Sequence, residues 1–217
     1  MLYRLQYPIP SLPFYSASHN KPCTPDILHP DEHRLLHGAS AKRIGEFCAG
    51  RYCAHQVLER LGYKDVSVLK NLHGAPIWPA GIVGSISHSK EMSIAVAARS
   101  ANIQAIGVDI QYCEPPFPGQ TFTALLRPQE IRTILDTPAE LADQYAYSIF
   151  AAKESALKCI YGASGHWLEF TDILIDLNLT DGWFLLSIPS KRAFNVPGWL
   201  GRVYFDGAYV VTVTWLK

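Results

Sequence analysis

The stretch FAAKESALK, Phe150 to Lys158, places two lysines and a glutamate in a run that otherwise reads as a buried helix. Glu154 and Lys158 are four apart, so a helix puts them on one face in the favourable Glu-before-Lys order. On a solvated face such a pair contributes only ~0.2–0.5 kcal/mol. Here the neighbours are Tyr147, Phe150, Ala151, Ala156, Leu157 and Ile160. Charge set among apolar residues must be partnered or put to use, because burying it alone is costly. A second carboxylate closes the apolar segment IGVDIQ, 106–111. Strand alternation puts Asp109 and Gln111 on one face and Val108 and Ile110 on the other. A carboxylate so placed suits a metal ion, and equally suits capping a turn.

Two further groups could handle phosphate. In GAPIWPAGIVGSISHS, 74–89, glycines and prolines fix a loop, while Ser85, Ser87, His88 and Ser89 offer donors to phosphate oxygens. The spacing is neither that of a Walker loop nor G-x-G-x-x-G. A histidine after a strand is also common as a plain structural residue. Arg43 and Arg51, eight apart on one helix and therefore roughly 80° apart around it, can lean toward one side. Exposed arginines are usually just solvated, so only their company raises them.

The elements that must carry these residues follow from apolar periodicity. A helix is expected over 41–61, capped by Ser40 and ended by Gly62, with Ile44, Phe47, Cys48, Cys53, Val57, Leu58 and Leu61 near helical spacing. Strands are expected at about 66–69, 84–87, 92–98 and 103–111. A short helix over 128–136 and a long one over 139–161, ended by Gly162, come next. Strands at roughly 171–177, 183–188, 200–205 and 208–216 follow, the last two joined by a tight turn at Asp206-Gly207. Long helix then strands thus occurs twice, with helix starts 98 residues apart and no sequence identity to support a repeat. The economical reading is α+β with two pseudo-symmetric halves, 1–103 and 104–217, each a long helix packed on a small, mainly antiparallel sheet.

Composition narrows the function class. The 217 residues are 48% hydrophobic and 18% charged, so a packed core is easily built. Lys plus Arg equals Asp plus Glu at 19 each, which argues against a nucleic-acid binder. Five cysteines without a C-x-x-C pair read as reduced intracellular thiols, not as a disulfide framework or zinc site. The opening residues are broken by Pro8, Pro10 and Pro13, unlike a signal peptide, and no apolar run reaches the length of a membrane span. A cytoplasmic monomer is expected.

Taken in order, GAPIWPAGIVGSISHS, GVDIQ and FAAKESALK resemble the 4′-phosphopantetheinyl transferases. The type resembled is the larger single-chain one that serves siderophore, peptide-synthetase and other secondary-metabolite or fatty acid pathways. The resemblance includes the R…GR helix at 43–51 and covers about 40 to 160. It implies transfer of the phosphopantetheine arm of coenzyme A to a serine of an acyl or peptidyl carrier protein, with release of 3′,5′-ADP. It also implies two similar α+β halves with coenzyme A in the cleft between them.

Residue by residue, Asp109 and Glu154 match metal carboxylates, normally for Mg²⁺, and Gln111 stands where many members carry a further acidic ligand, its amide oxygen expected to ligate the metal directly or through water. Arg43 and Arg51 match positions near the 3′-phosphate, and Pro76, Ser87 and His88 match the stretch that meets the phosphates. Lys153 and Lys158 match lysines beside the pyrophosphate, and Lys158 would stabilise the leaving charge. Glu154, or a water near it, matches the base for the carrier serine. Glu130, in RPQEI, matches an acidic position that helps orient the nucleophile. Ala75 stands where many members have a lysine in the G-x-P turn. The carrier is expected to dock at 112–135, where Phe117, Phe122 and Leu125 are displayed and Arg127 and Arg132 steer an acidic partner; that these aromatics belong to the core is an equal alternative. The rival functions are a non-catalytic coenzyme A or carrier-binding module and a metal-dependent phosphohydrolase. The latter would show denser acidic or histidine clusters.

Overall fold

The computed structural model describes residues 13–119, 124–189 and 200–217. The chain divides into two compact units, Met1–Ile106 and Gly107–Lys217.

In the first unit, helix α1 spans Ala41–Arg60, and the Ser40 hydroxyl caps it by accepting from the Arg43 amide at 3.3 Å. Gly62 turns the chain away at φ +89°, a conformation that glycine adopts without strain. The apolar stripe of α1 buries Phe47, Cys48, Cys53, Val57 and Leu58. It lies on an antiparallel sheet formed by β1 (Tyr15–His19), β4 (Ile82–Ser89) and β5 (Met92–Arg99), with β5 in the middle. The centre strand is covered along most of its length, and Met92 through Ala98 are all buried. The expected strand at 66–69 is reduced to β2, Leu69–Lys70, which forms a separate ribbon with β3, Pro76–Ile77, in the register Lys70 opposite Pro76.

The second unit is built on a five-stranded sheet. Its elements are β6 (Ala105–Tyr112), α2 (Pro128–Asp136), α3 (Ala139–Ser164), β7 (Leu174–Asn178), β8 (Trp183–Ser187), β9 (Leu200–Asp206) and β10 (Tyr209–Leu216). The strand order is β6–β10–β9–β8–β7. Two sequence expectations shift. Helix α3 runs through Gly162 and is ended by Gly165, which is left-handed at φ +68° and donates its amide to the Tyr161 carbonyl. The β9–β10 hairpin turns on Gly207 and Ala208, because Asp206 still pairs with Tyr209.

The face of α3 toward the sheet is made of small residues, among them Ala151, Ala152, Ser155, Ala156 and Cys159, all buried. That lets helix and strands approach closely. A Cβ on Gly107 would lie 1.9 Å from the Ser155 carbonyl oxygen, so β6 passes α3 only with glycine there. The Thr212 hydroxyl donates to the Ala151 carbonyl at 2.7 Å, and the Ser155 and Thr214 hydroxyls are bonded at 2.9 Å. These contacts seat α3 against β6 and β10 at the turn that carries Glu154 and Lys158.

Candidate active site

Asp109 is presented by β6 and is 2% exposed. Lys158, one turn beyond Glu154 on α3, puts its ammonium 2.6 Å from Asp109 Oδ1 and also donates to the Val108 carbonyl at 3.1 Å. The same ammonium lies 3.8 Å from Glu154 Oε2. Gln111 lies on the Asp109 face, as strand alternation requires, and donates its side-chain amide to Asp109 Oδ2 at 2.7 Å. Glu154 and Lys158 are therefore not a solvated surface pair. They are two members of a three-charge cluster whose third member comes from another element.

The electrostatics of this cluster are negative. Burial raises the pKa of the Glu154 carboxyl; Lys158 opposes that shift, and the charge of Asp109 adds to it. One ammonium serves two carboxylates, so a further cation would be stabilised there. The donor set fits a hard, oxygen-seeking divalent ion, since Mg²⁺ commonly takes only one or two protein carboxylates. Among the described residues no group of three or more His, Cys, Asp or Glu forms a self-sufficient metal cage.

Two expected site residues lie elsewhere in this unit. Lys153 is fully buried, and its three N–H donors meet three acceptors: Glu130 Oε2, the Phe170 carbonyl and the Ile173 carbonyl, each at 2.8 Å. Glu130, 2% exposed, also accepts from the Arg127 and Ile175 amides at 2.6 and 2.9 Å. An ammonium with all its donors engaged in the interior has none left for a pyrophosphate. The pair ties α2, α3 and the start of β7 together. Phe117 is likewise buried, edge-on against Tyr147 and Phe150, so it belongs to the core and not to a docking face. Phe122 lies outside the described residues, and Arg132 is exposed on α2.

The remaining expected cationic residues lie in the first unit. Arg43 and His88 meet at 2.9 Å (NH1 to Nε2), and Glu46 Oε2 lies 3.2 Å from Arg43 and 3.7 Å from His88. Ser87, beside His88 on β4, is buried. Deeper in, the Arg51 guanidinium lies 4.5 Å from the Phe47 ring centre and the Lys70 ammonium 4.8 Å from it. Burial pushes the Arg51 pKa down to about 10, with Glu32 opposing and Arg43 adding to the shift. Lys70 is lowered by burial and then by the charges of Arg43 and Arg51. With Arg43 adding to the lowering of Arg51, and both arginines adding to that of Lys70, this is a place where an anion is stabilising. Lys70 is the residue that sequence reasoning missed. It lies directly across the β2–β3 ribbon from Pro76, so a cation does stand beside the G-x-P turn although Ala75 provides none.

Comparison with known proteins accounts for both units. Residues 31–98 match the 4'-phosphopantetheinyl transferase N-terminal domain, and residues 105–214 match the 4'-phosphopantetheinyl transferase superfamily. The chain is 32% identical over 193 residues to 4'-phosphopantetheinyl transferase Svp of Streptomyces mobaraensis, covering 86% of this chain and 77% of that protein. It is 31% identical to the transferase Npt of Nocardia iowensis over 71% of this chain and 68% of that one. Enterobactin synthase component D of Escherichia coli O157:H7 is 40% identical over 63% of this chain and 64% of its own length. With both units matched and relatives aligned along most of their length, the chain belongs to the 4′-phosphopantetheinyl transferase superfamily and is a transferase of its larger type.

Proposed function

We propose that this enzyme moves the 4′-phosphopantetheine of coenzyme A to the serine of an apo acyl or peptidyl carrier protein with Mg²⁺ held by Asp109 and Glu154. The observation that carries this reading is the convergence of both carboxylates on one ammonium, at 2.6 and 3.8 Å. Bound there, Mg²⁺ would offset charge on the pyrophosphate of coenzyme A. Lys158 holds Asp109 in place and adds positive charge where the leaving diphosphate gathers negative charge. Glu154, its proton affinity lifted by burial, suits accepting the proton of the carrier serine. In the first unit Arg43, Arg51, Lys70 and His88 take the 3′-phosphate through charge-assisted contacts. Phosphoryl transfer asks mainly for positioning and charge neutralisation, which this inventory supplies.

Gln111 then acts on the metal through Asp109. Gln111→Ala is expected to cost far less transfer than Asp109→Ala, since water can donate to Oδ2 in its place. Gln111→Glu is expected to tighten Mg²⁺ on the free enzyme, as read by calorimetry. Unchanged metal affinity would place Gln111 away from the metal.

All five cysteines are free thiols, which suits a reducing compartment and supports a cytoplasmic setting. No helix among the described residues is long and apolar enough to cross a membrane. The enzyme is read as a monomer. The deciding experiment mixes the protein, coenzyme A and Mg²⁺ with apo carrier proteins and follows the carrier by intact mass. Gain of one phosphopantetheinyl group, dependent on Mg²⁺, is expected. Tight coenzyme A binding without any mass gain on any carrier would mark a non-catalytic binding module.

A further inference from the structure

The two units share a device, and with it a short identity at the 98-residue spacing that corrects the expectation of none. The segments HPDEHR, 29–34, and RPQEIR, 127–132, carry Pro, Glu and Arg at matching places, each 98 residues on. In both, proline opens a short helix and the glutamate at its third position folds back on the capping residue's amide: His29 to Glu32 at 3.1 Å, Arg127 to Glu130 at 2.6 Å. In both, the other carboxylate oxygen accepts an amide from the segment beyond the long helix: Val68 to Glu32 at 2.7 Å, Ile175 to Glu130 at 2.9 Å. In both, the buried carboxylate faces a buried cation of the long helix, Arg51 at 3.8 Å or Lys153 at 2.8 Å.

The locks differ in what they leave over. Lys153 is saturated, as described above. Arg51, 4% exposed, has five N–H donors and among the described residues spends one, at 3.4 Å on the Leu69 carbonyl, while its buried Nε has no hydrogen-bond partner. Glu32 Oε1 is drawn off by the Val68 amide and by His55 Nε2 at 3.0 Å, so it balances Arg51 without closing on it. The same carboxylate pins Val68, which leads directly into β2 and Lys70. Burial alone would raise the pKa of Glu32, yet the bonds from His55, Val68 and His29 hold it below the usual carboxylate range.

We propose that Glu32, supported by His55, is a positioning residue for the anion site of the first unit. It orients Arg51 with donors to spare and sets the strand that carries Lys70. This rests on the reading that these cations take the 3′-phosphate, so the experiment tests both. KM is measured for coenzyme A and for dephospho-coenzyme A, which lacks that phosphate. Arg51→Ala is expected to raise the first about tenfold or more and leave the second nearly unchanged. Glu32→Gln keeps the shape but turns an N–H toward one of the donors around the carboxylate. It is expected to give the same selective rise, smaller in size, with kcat retained, and to add little in the Arg51→Ala background.

Should Glu32→Gln fail to fold, His55→Ala serves, because it leaves the carboxylate and its two backbone donors in place; a smaller rise confined to coenzyme A is expected. Glu130→Gln breaks the matching lock in the other unit and should leave the ratio of the two KM values unchanged. A selective loss in Arg51→Ala together with equal or absent shifts in the Glu32 and His55 variants overturns the positioning role and leaves the anion site standing. No selectivity in Arg51→Ala removes the role of Arg51 at the 3′-phosphate, and the positioning role with it.

Discussion

Asp109→Asn and Glu154→Gln are each expected to lower transfer to a carrier by about 10²–10³-fold or more, the scale of losing one preorganised charge-stabilising group in a water-poor site. The amides are the sharper choice over alanine, because they keep volume and most hydrogen bonds. Asp109→Ala would leave Lys158 without the 2.6 Å partner that balances it and would mix a folding loss with the catalytic one. Thermal unfolding run beside the transfer assay separates the two. For Asp109→Asn a folded protein that binds coenzyme A yet does not respond to Mg²⁺ is expected. Transfer within a few fold of the unaltered enzyme, in either variant, removes that carboxylate from the metal site.

Much of this arrangement was legible in the sequence because it is local. Glu154 and Lys158 share a helix face, and Asp109 and Gln111 share a strand face; both follow from backbone periodicity. The α2 limits and the Ser40 cap follow from residue chemistry in the same way. What stayed hidden depends on which residues meet across elements. The family resemblance matches Lys153 to a lysine beside the pyrophosphate by its place in FAAKESALK, and such a match carries no side-chain direction. One residue on a helix turns the side chain by about 100°, here from the Asp109 cluster into the core. Helix α3 outran Gly162 because glycine inside a helix costs only ~1 kcal/mol, which packing readily offsets, while the left-handed turn was needed at Gly165. Lys70 and Glu32 were passed over because neither sits in a recognisable run. Their roles come from the β2–β3 register and from Val68 reaching Glu32 across 36 residues of chain.

The same geometry separates structure from chemistry at Lys153. Lys153→Ala is expected to destabilise the enzyme by about 3–5 kcal/mol, because it strands the Glu130 carboxylate in the interior with only backbone amides for company. It also leaves the Phe170 and Ile173 carbonyls without their donor. Lys153→Met fills more of the space and should cost less, and adding Glu130→Gln to it should recover part of the loss by removing the unpaired charge. Denaturant unfolding of the three variants gives the ranking. Transfer assayed well below the midpoint, where Lys153→Met is still folded, is expected to keep KM for coenzyme A within a few fold of the unaltered enzyme. A large rise in that KM at near-normal stability would mean that the ammonium leaves its three acceptors to meet the pyrophosphate. It would restore Lys153 to the phosphate-binding set and make the Glu130 pair a resting position instead of a lock.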